Sequence, residues 1–290
     1  MLLGQGNENQ KAEYIAMDDA GLSEQDYQAF CLFLEKSCGI VLGENKHYLV
    51  NSRLKKILED NQLSDVGELL KKIERDHRLR ARVVDAMTTN ETYWFRDSHP
   101  FFALKDVIFP ELSDKSTRRP RIWCAASSTG QEPYTISMMV DEYTKSNPGG
   151  FSDAEIIATD ISPRVLEAAR KAEYDELTLS RGLALEYKKR YFTQAEQSWR
   201  INDDIKNRVR FSELNLMTSF NSMGKFQVIF CRNVLIYFSA DLKKDIIDRL
   251  ANSLEPGGYL FLGGSESMAS YSDRFETVRY SGGLVYKLAK

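Results

Sequence analysis

Arg121-Ile-Trp-Cys-Ala-Ala-Ser-Ser-Thr-Gly130-Gln-Glu-Pro-Tyr134 is the stretch whose reading decides the fold. A short apolar run bounded by turn residues reads as a buried strand, and the Ser/Thr/Gly loop after it leads into a helix around Pro133 to Tyr143. The same alternation continues downstream. Glu155-Ile-Ile-Ala-Thr is a second strand, followed by a helix that Ser162 caps with Pro163 at its first position. Phe226-Gln-Val-Ile-Phe-Cys is a third, leading to a helix from about Asp241 to Leu254 that stops at Pro256-Gly257-Gly258. Tyr259-Leu-Phe-Leu is a fourth strand. Val278 to Leu288, around Ser281-Gly282-Gly283, reads as a hairpin. Strands alternating with helices imply an α/β domain with a mainly parallel sheet.

Upstream the texture is helical. Tyr27, Phe30, Cys31 and Leu34 recur at i, i+3, i+4 and i+7, with Ser23 as cap and Gly39 as stop. A second stripe, Val66, Leu69, Leu70 and Ile73 after Ser64, leads into the basic run Arg78 to Arg82 and then Val83, Val84 and Met87. The expected organisation is a flexible tail over 1–20, a helical domain over 21–90, a linker with a helix over 91–120, and the α/β domain over 121–290. Between Asp175 and Arg210 the alternation breaks among many charges, Tyr191, Phe192, Trp199 and Ile201, so a small insertion is expected there.

Composition narrows the function. With 42% apolar residues in 290, the chain supplies an ordinary core. A net charge of −3 argues against general nucleic-acid binding. The opening MLLGQGNENQKAEY lacks the basic flank and apolar run of a signal peptide, and no stretch approaches the roughly 20 apolar residues of a membrane span, so a cytoplasmic protein without membrane insertion is expected. The four cysteines (31, 38, 124, 231) and three histidines (47, 77, 99) show no ligand spacing. Reduced, mostly buried thiols and no metal site are therefore expected.

The chemistry sits at the strand ends. The loop Ser127 to Glu132 follows the first strand, where open α/β sheets bind ligands, yet it has only Gly130 and not the G-x-G-x-x-G fingerprint that a diphosphate needs. Glu132 either neutralises a cationic ligand group or orders the loop. Asp160 ends the second strand, where a carboxylate accepts from both ribose hydroxyls; otherwise it caps the helix that begins after Ser162, a weaker reading because Ser162 is itself a good cap. A ribose without a diphosphate suggests adenosine.

Six stretches in order carry a resemblance: Asn90-Glu-Thr92-Tyr-Trp-Phe-Arg96; Trp123 through Gly130-Gln-Glu132-Pro-Tyr134; Ala158-Thr-Asp160-Ile-Ser; Leu214-Asn215-Leu216; Ile229-Phe-Cys231-Arg232-Asn233-Val-Leu-Ile-Tyr237-Phe; and Gly263-Gly-Ser-Glu-Ser. From about Ser23 onward the chain resembles the CheR family of chemoreceptor glutamate methyltransferases. One departure is the first-strand loop, Ala-Ala-Ser-Ser-Thr-Gly-Gln-Glu, where the family usually has a further Gly or Cys and a second Glu.

The resemblance implies a class I S-adenosylmethionine-dependent methyltransferase, Rossmann-like, with an N-terminal all-α domain and a small antiparallel β subdomain inserted at about 175–210. It implies that Asn90, Thr92, Arg96, Glu132, Asp160, Asn215, Leu216, Cys231 and Arg232 line the S-adenosyl-L-methionine pocket. On chemical grounds Asp160 suits the ribose, Asn215 and Leu216 the adenine, and Glu132 the ammonium. Arg96 and Tyr237 are the candidates for aligning a substrate carboxylate, by planar bidentate pairing and by a hydroxyl respectively. Tyr237 has a second reading as a core aromatic, and Arg232 as a structural ion-pair partner; Trp94 and Phe95 read as packing. The basic run Lys71 to Arg82 is either a solvated helix face or a docking face for the acidic helical region of a receptor. The expected product is S-adenosyl-L-homocysteine, and the expected partner of a monomeric enzyme is the cytoplasmic domain of chemoreceptors. Two rivals are a small-molecule methyltransferase and a non-catalytic cofactor sensor, with a nicotinamide dehydrogenase a distant third.

Overall fold

The computed structural model describes residues 22–115, 119–280 and 282–289, so the expectation of a flexible tail over 1–20 lies outside the described residues. The chain divides into two compact units at Thr89 and Asn90.

The first unit is built from four helices, α1 (Glu24–Cys38), α2 (His47–Asp60), α3 (Val66–Ile73) and α4 (His77–Met87). The ends of α1 are those read from sequence. Ser23 Oγ accepts the Asp26 N–H, and Gly39, at φ 78°, closes the last turn on the Glu35 carbonyl. At α3 the cap is Asp65. The Asp65 side chain accepts the Glu68 N–H while the Glu68 carboxylate returns to the Ser64 N–H, a reciprocal arrangement that satisfies two otherwise orphaned donors. Phe30, Leu34, Val50, Leu54, Leu69 and Val83 are fully buried between the helices. The basic run behaves as an amphipathic face, with Ile73 and Leu79 inward and Lys71, Lys72, Arg75, Arg78 and Arg82 outward.

The second unit carries a seven-stranded sheet of β1 (Arg121–Ala125), β2 (Glu155–Asp160), β6 (Val209–Glu213), β7 (Phe226–Cys231), β8 (Leu254–Phe261), β9 (Phe275–Tyr280) and β10 (Gly283–Leu288), in the order β6-β2-β1-β7-β8-β10-β9. The first five run parallel, and β10 is antiparallel to both β8 and β9. Strands β1 and β7 are buried almost end to end, as both-face coverage by helices requires. The sequence-read hairpin is the β9–β10 pair. The helix after β1 runs from Gln131 to Ser146, longer at both ends than its apolar stripe, and Pro256-Gly257-Gly258 lies within β8 rather than before it.

Residues 91–120, expected as a linker with a helix, fall within the second unit. Three consecutive helical stretches, His99–Ala103, a π turn Leu104–Ile108, and Phe109–Asp114, bury Phe101, Leu104, Ile108, Phe109 and Leu112 in the core of the second unit. Its start at Asn90 follows from that burial.

The insertion is a three-stranded antiparallel sheet, β3 (Glu173–Tyr174), β5 (Trp199–Ile201) and β4 (Phe192–Gln194) in spatial order, with short helices at Glu176–Ser180, Leu185–Tyr191 and Asp203–Lys206. It begins two residues earlier than the broken alternation suggests. It also ends sooner, because Val209 and Arg210 already belong to β6, the edge strand of the main sheet. That strand is polar and half exposed, so it lacks the apolar run that marks the central strands.

Candidate active site

Register places the site. Ala125 at the end of β1 lies beside Thr159 of β2 and Cys231 of β7, and Asp160 beside Glu213 of β6, so the carboxyl ends of these strands form one rim. Strand order reverses about β1, which opens the crevice where such sheets bind ligands.

The loop after β1 is the first wall. Ala126 and Ser128 adopt φ of 58° and 50°, a left-handed conformation that costs a non-glycine residue about 1–2 kcal/mol. Several bonds hold it. The Ser128 N–H donates to Asp160 Oδ2 at 2.8 Å, Ser128 Oγ to the Asn90 carbonyl at 2.9 Å, and the Tyr174 hydroxyl to the Thr129 carbonyl at 2.7 Å. Gly130 ends the loop at φ 94°, where a Cβ would approach Ala169, Tyr134 and Tyr174 to 3.1–3.2 Å. Asp160 is thus a loop organiser in its own right, since its other oxygen accepts the Ser162 N–H at 3.0 Å. Ser162 Oγ caps the helix Pro163–Lys171.

Arg232, at the end of β7, is the electrostatic centre. Its side chain is 2% exposed; Nη1 donates to Glu132 Oε2 at 2.8 Å, and Nη2 donates to Asp97 Oδ2 at 2.6 Å and to the Arg96 carbonyl at 2.9 Å. The ion-pair reading of Arg232 is the one these contacts fit. Burial pushes the Glu132 carboxyl above its ordinary range, against the pull of Arg232 and, more weakly, Arg96. Burial also pushes the Cys231 thiol well up, with Glu266 and Glu132 adding to it, which keeps it a neutral thiol. None of the four cysteines is disulfide-bonded, and three are buried.

Arg96 is half-buried and donates to the Glu91 carbonyl at 3.0 Å, with its guanidinium 5.5 Å from the centre of the Tyr93 ring. No carboxylate among the described residues lies within ion-pair distance of it. Asn90 and Thr92 line an open depression of 410 Å³ with Thr129, Gln131 and Tyr174. Asn215 and Leu216 follow β6, where the Leu214 N–H bonds the Asp160 carbonyl, so they stand beside the ribose candidate; the Asn215 side chain accepts the Met217 N–H and Leu216 is buried. Tyr237 ends a single 3-10 turn, Leu235–Tyr237, and is half-buried, not a core aromatic. Trp94 and Phe95 pack, as expected: Trp94 is fully buried, edge-on to Tyr174 and Phe192.

Sequence reasoning missed Asp97, Ser128 and Glu266. The first follows Arg96 directly and the third lies inside the Gly263–Ser267 motif, so both were in view without a role; the Ser128 bonds depend on a left-handed backbone that no residue type there announces.

The fold and rim define a class I methyltransferase domain. Two carboxylates on the rim disfavour a diphosphate and suit a ligand with positive charge. Ser127 Oγ, in the same loop, is buried without a hydrogen-bond partner among the described residues, a state that native proteins seldom leave unfilled. S-adenosylmethionine, cationic at sulfur and amine, fits that donor set. Family models agree in detail: "CheR methyltransferase, SAM binding domain" matches residues 90–283 and "CheR methyltransferase, all-alpha domain" matches 25–88. The chain belongs to the CheR methyltransferase family and is an S-adenosylmethionine-dependent methyltransferase. It is 49% identical over 267 residues to the chemotaxis protein methyltransferase Cher2 of Pseudomonas putida, covering 90% of this chain and 97% of that one. Identity to chemotaxis protein methyltransferase 1 of Pseudomonas aeruginosa is also 49%, over 90% and 97% of the two chains, and to that of Vibrio cholerae 48%, over 92% and 98%. No described helix is long and apolar enough to cross a membrane.

Proposed function

We propose that the protein transfers the methyl group of S-adenosylmethionine to side-chain carboxylates of glutamates in the cytoplasmic domain of chemoreceptors, acting as a cytoplasmic monomer. The observation that carries this reading is Arg96, a guanidinium on the site rim with no described carboxylate of its own. The relatives' naming as chemotaxis protein methyltransferases supports a receptor as the source of that carboxylate.

Bound cofactor supplies an activated methyl on a positively charged sulfur; an incoming carboxylate oxygen forms the new C–O bond as the C–S bond breaks, and the electron pair stays on sulfur as the neutral thioether of S-adenosylhomocysteine. No general base is needed, because a glutamate with an ordinary pKa near 4.3 is already ionised at neutral pH. The chain's work is therefore placement. Arg96 orients the carboxylate, Tyr237 holds one of its oxygens, Asp160 and Asn215–Leu216 receive the nucleoside, and Glu132, pinned by Arg232, faces the amine with its free oxygen. Holding two reactants in a near-attack geometry accounts for about 7–11 kcal/mol of barrier reduction in favourable cases, enough to dominate a reaction that asks for little proton transfer. In the first unit, Lys71, Lys72, Arg75 and Arg78 offer an outward basic face to an acidic helical substrate.

The test is transfer of radiolabelled methyl to receptor-containing membranes, followed by alkaline release of methanol. Base-labile label on the receptor that Arg96→Ala abolishes, while the variant still binds S-adenosylhomocysteine, is the expected result. Base-stable label, or label on small molecules only, would overturn the assignment.

A further inference from the structure

Tyr237 stands on a turn that has almost no regular structure to hold it. Asn233, four residues earlier, adopts φ 58°, and the 3-10 helix Leu235–Tyr237 is one turn long. What holds the turn is Glu266, from the loop after β8. Its Oε2 accepts the N–H groups of Asn233 at 2.8 Å and Gly263 at 2.7 Å; its Oε1 accepts those of Val234 at 3.0 Å and Ile236 at 3.3 Å. Four backbone donors thus converge on one carboxylate. Gly263 is part of the same clamp, for a Cβ there would come within 2.6 Å of Asn233 Nδ2 and 2.8 Å of Glu266 Oε2.

We propose that Glu266 is a positioning residue for methyl transfer: by gathering the N–H groups of residues 233, 234 and 236 it fixes the turn that presents Tyr237, with Arg232 anchored at the turn's other end. The assignment rests on the role given to Tyr237 above. A carboxylate suits this task and an amide does not. Gln at 266 would turn an NH₂ group toward two backbone donors, breaking one half of the clamp with little change of volume. The turn would then be free to relax its left-handed residue, and a displacement of about 1 Å at a reacting group costs on the order of a hundredfold in rate.

The experiment compares wild type with Glu266→Gln and Gly263→Ala in the receptor methylation assay, alongside calorimetric titration with S-adenosylhomocysteine and amide hydrogen exchange. The expected result is a fall in kcat of about a hundredfold for Glu266→Gln, with receptor KM and product affinity little changed. Amide protection at residues 233, 234 and 236, present in wild type, is lost in the variant. A folded Glu266→Gln protein with wild-type kcat overturns the proposal, as does loss of stability alone with kcat per folded molecule preserved. Should Glu266→Gln fail to fold, Gly263→Ala gives the same split. If wild type labels no receptor, it is the substrate assignment that fails. Hydrogen exchange still decides here, because fast exchange of these amides in wild type rules the clamp out.

Discussion

Replacing Arg232 by Met should reveal how much the second unit depends on one buried cation. The guanidinium is 2% exposed and its partner Glu132 only 12%, so the substitution leaves a buried carboxylate without its counter-charge. Breaking a buried pair from one side costs about 3–5 kcal/mol. For a unit of this size each kcal/mol lowers the midpoint by about 2–4 °C, so a fall of roughly 6–20 °C is expected in thermal unfolding followed by circular dichroism. The sign with pH follows from Glu132. Burial already raises its carboxyl above the ordinary 4.5, and removing Arg232 raises it further. A raised acid destabilises the folded state only where it is forced to ionise, so the deficit of Arg232→Met should be largest at pH 8 and shrink as the pH falls toward the raised carboxyl range. Adding Glu132→Gln removes the stranded charge and should recover more than half of the loss at pH 8. A melting point within 2 °C of wild type, roughly the scale of surface substitutions, would refute the placement of Arg232 as the compensating charge. So would a double variant no more stable than the single one.

Two further outcomes follow from the same unit. Glu111 is held by Lys115, Tyr259 and Lys287; burial alone would raise its carboxyl, but these partners lower it from 4.5 to about 2. That depression stabilises the fold above pH 4.5 and is lost as pH falls from 4.5 through 2, so in urea titrations Glu111→Gln should be less stable than wild type at pH 7, by an amount that narrows below pH 4.5. An equal deficit at pH 7 and pH 3.5 would contradict the assignment. At Gly182, φ is +90° and a Cβ would collide with the Trp94 carbonyl oxygen, so Gly182→Ala should cost about 2–4 kcal/mol through strain and overpacking, read as a drop in midpoint with the insertion's Trp199 fluorescence altered. Unchanged melting would show that the segment at 94 does not rest on the insertion.

The central strands and their order of function were readable because burial on both faces forces continuous apolar runs such as Ile229-Phe-Cys231, and because the rim residues stand where those runs stop. Strand β6 was not readable. Val-Arg-Phe-Ser-Glu spends its pattern on an exposed edge, so it merged with the charged insertion. A helix was expected within 91–120, but its extent over 99–114 and its place in the core were hidden by Pro100, Pro110 and a π turn, which interrupt the helical period although the face they bury is wholly apolar. At the site, candidates for ligand contact could be chosen by residue type, whereas the residues that hold them in place could not. Asp97 and Glu266 act on groups 135 and 30 to 33 residues away, a relation that only the folded chain creates. Asp160 shows the converse, a residue picked for ligand chemistry that also carries two backbone bonds of the loop.

The fastening of the loop after β1 bears on how the cofactor is received. Nucleotide-binding loops rich in glycine remain supple until a phosphate orders them, and association then carries an entropic penalty. Here Asp160, the Asn90 carbonyl and the Tyr174 hydroxyl hold residues 128 and 129 by bonds from within the protein. One glycine suffices where others use three, since the remaining residues are braced from outside rather than freed from within. A loop braced in this way leaves less to order on binding, so contacts with a ligand go into affinity instead of into ordering the receiver.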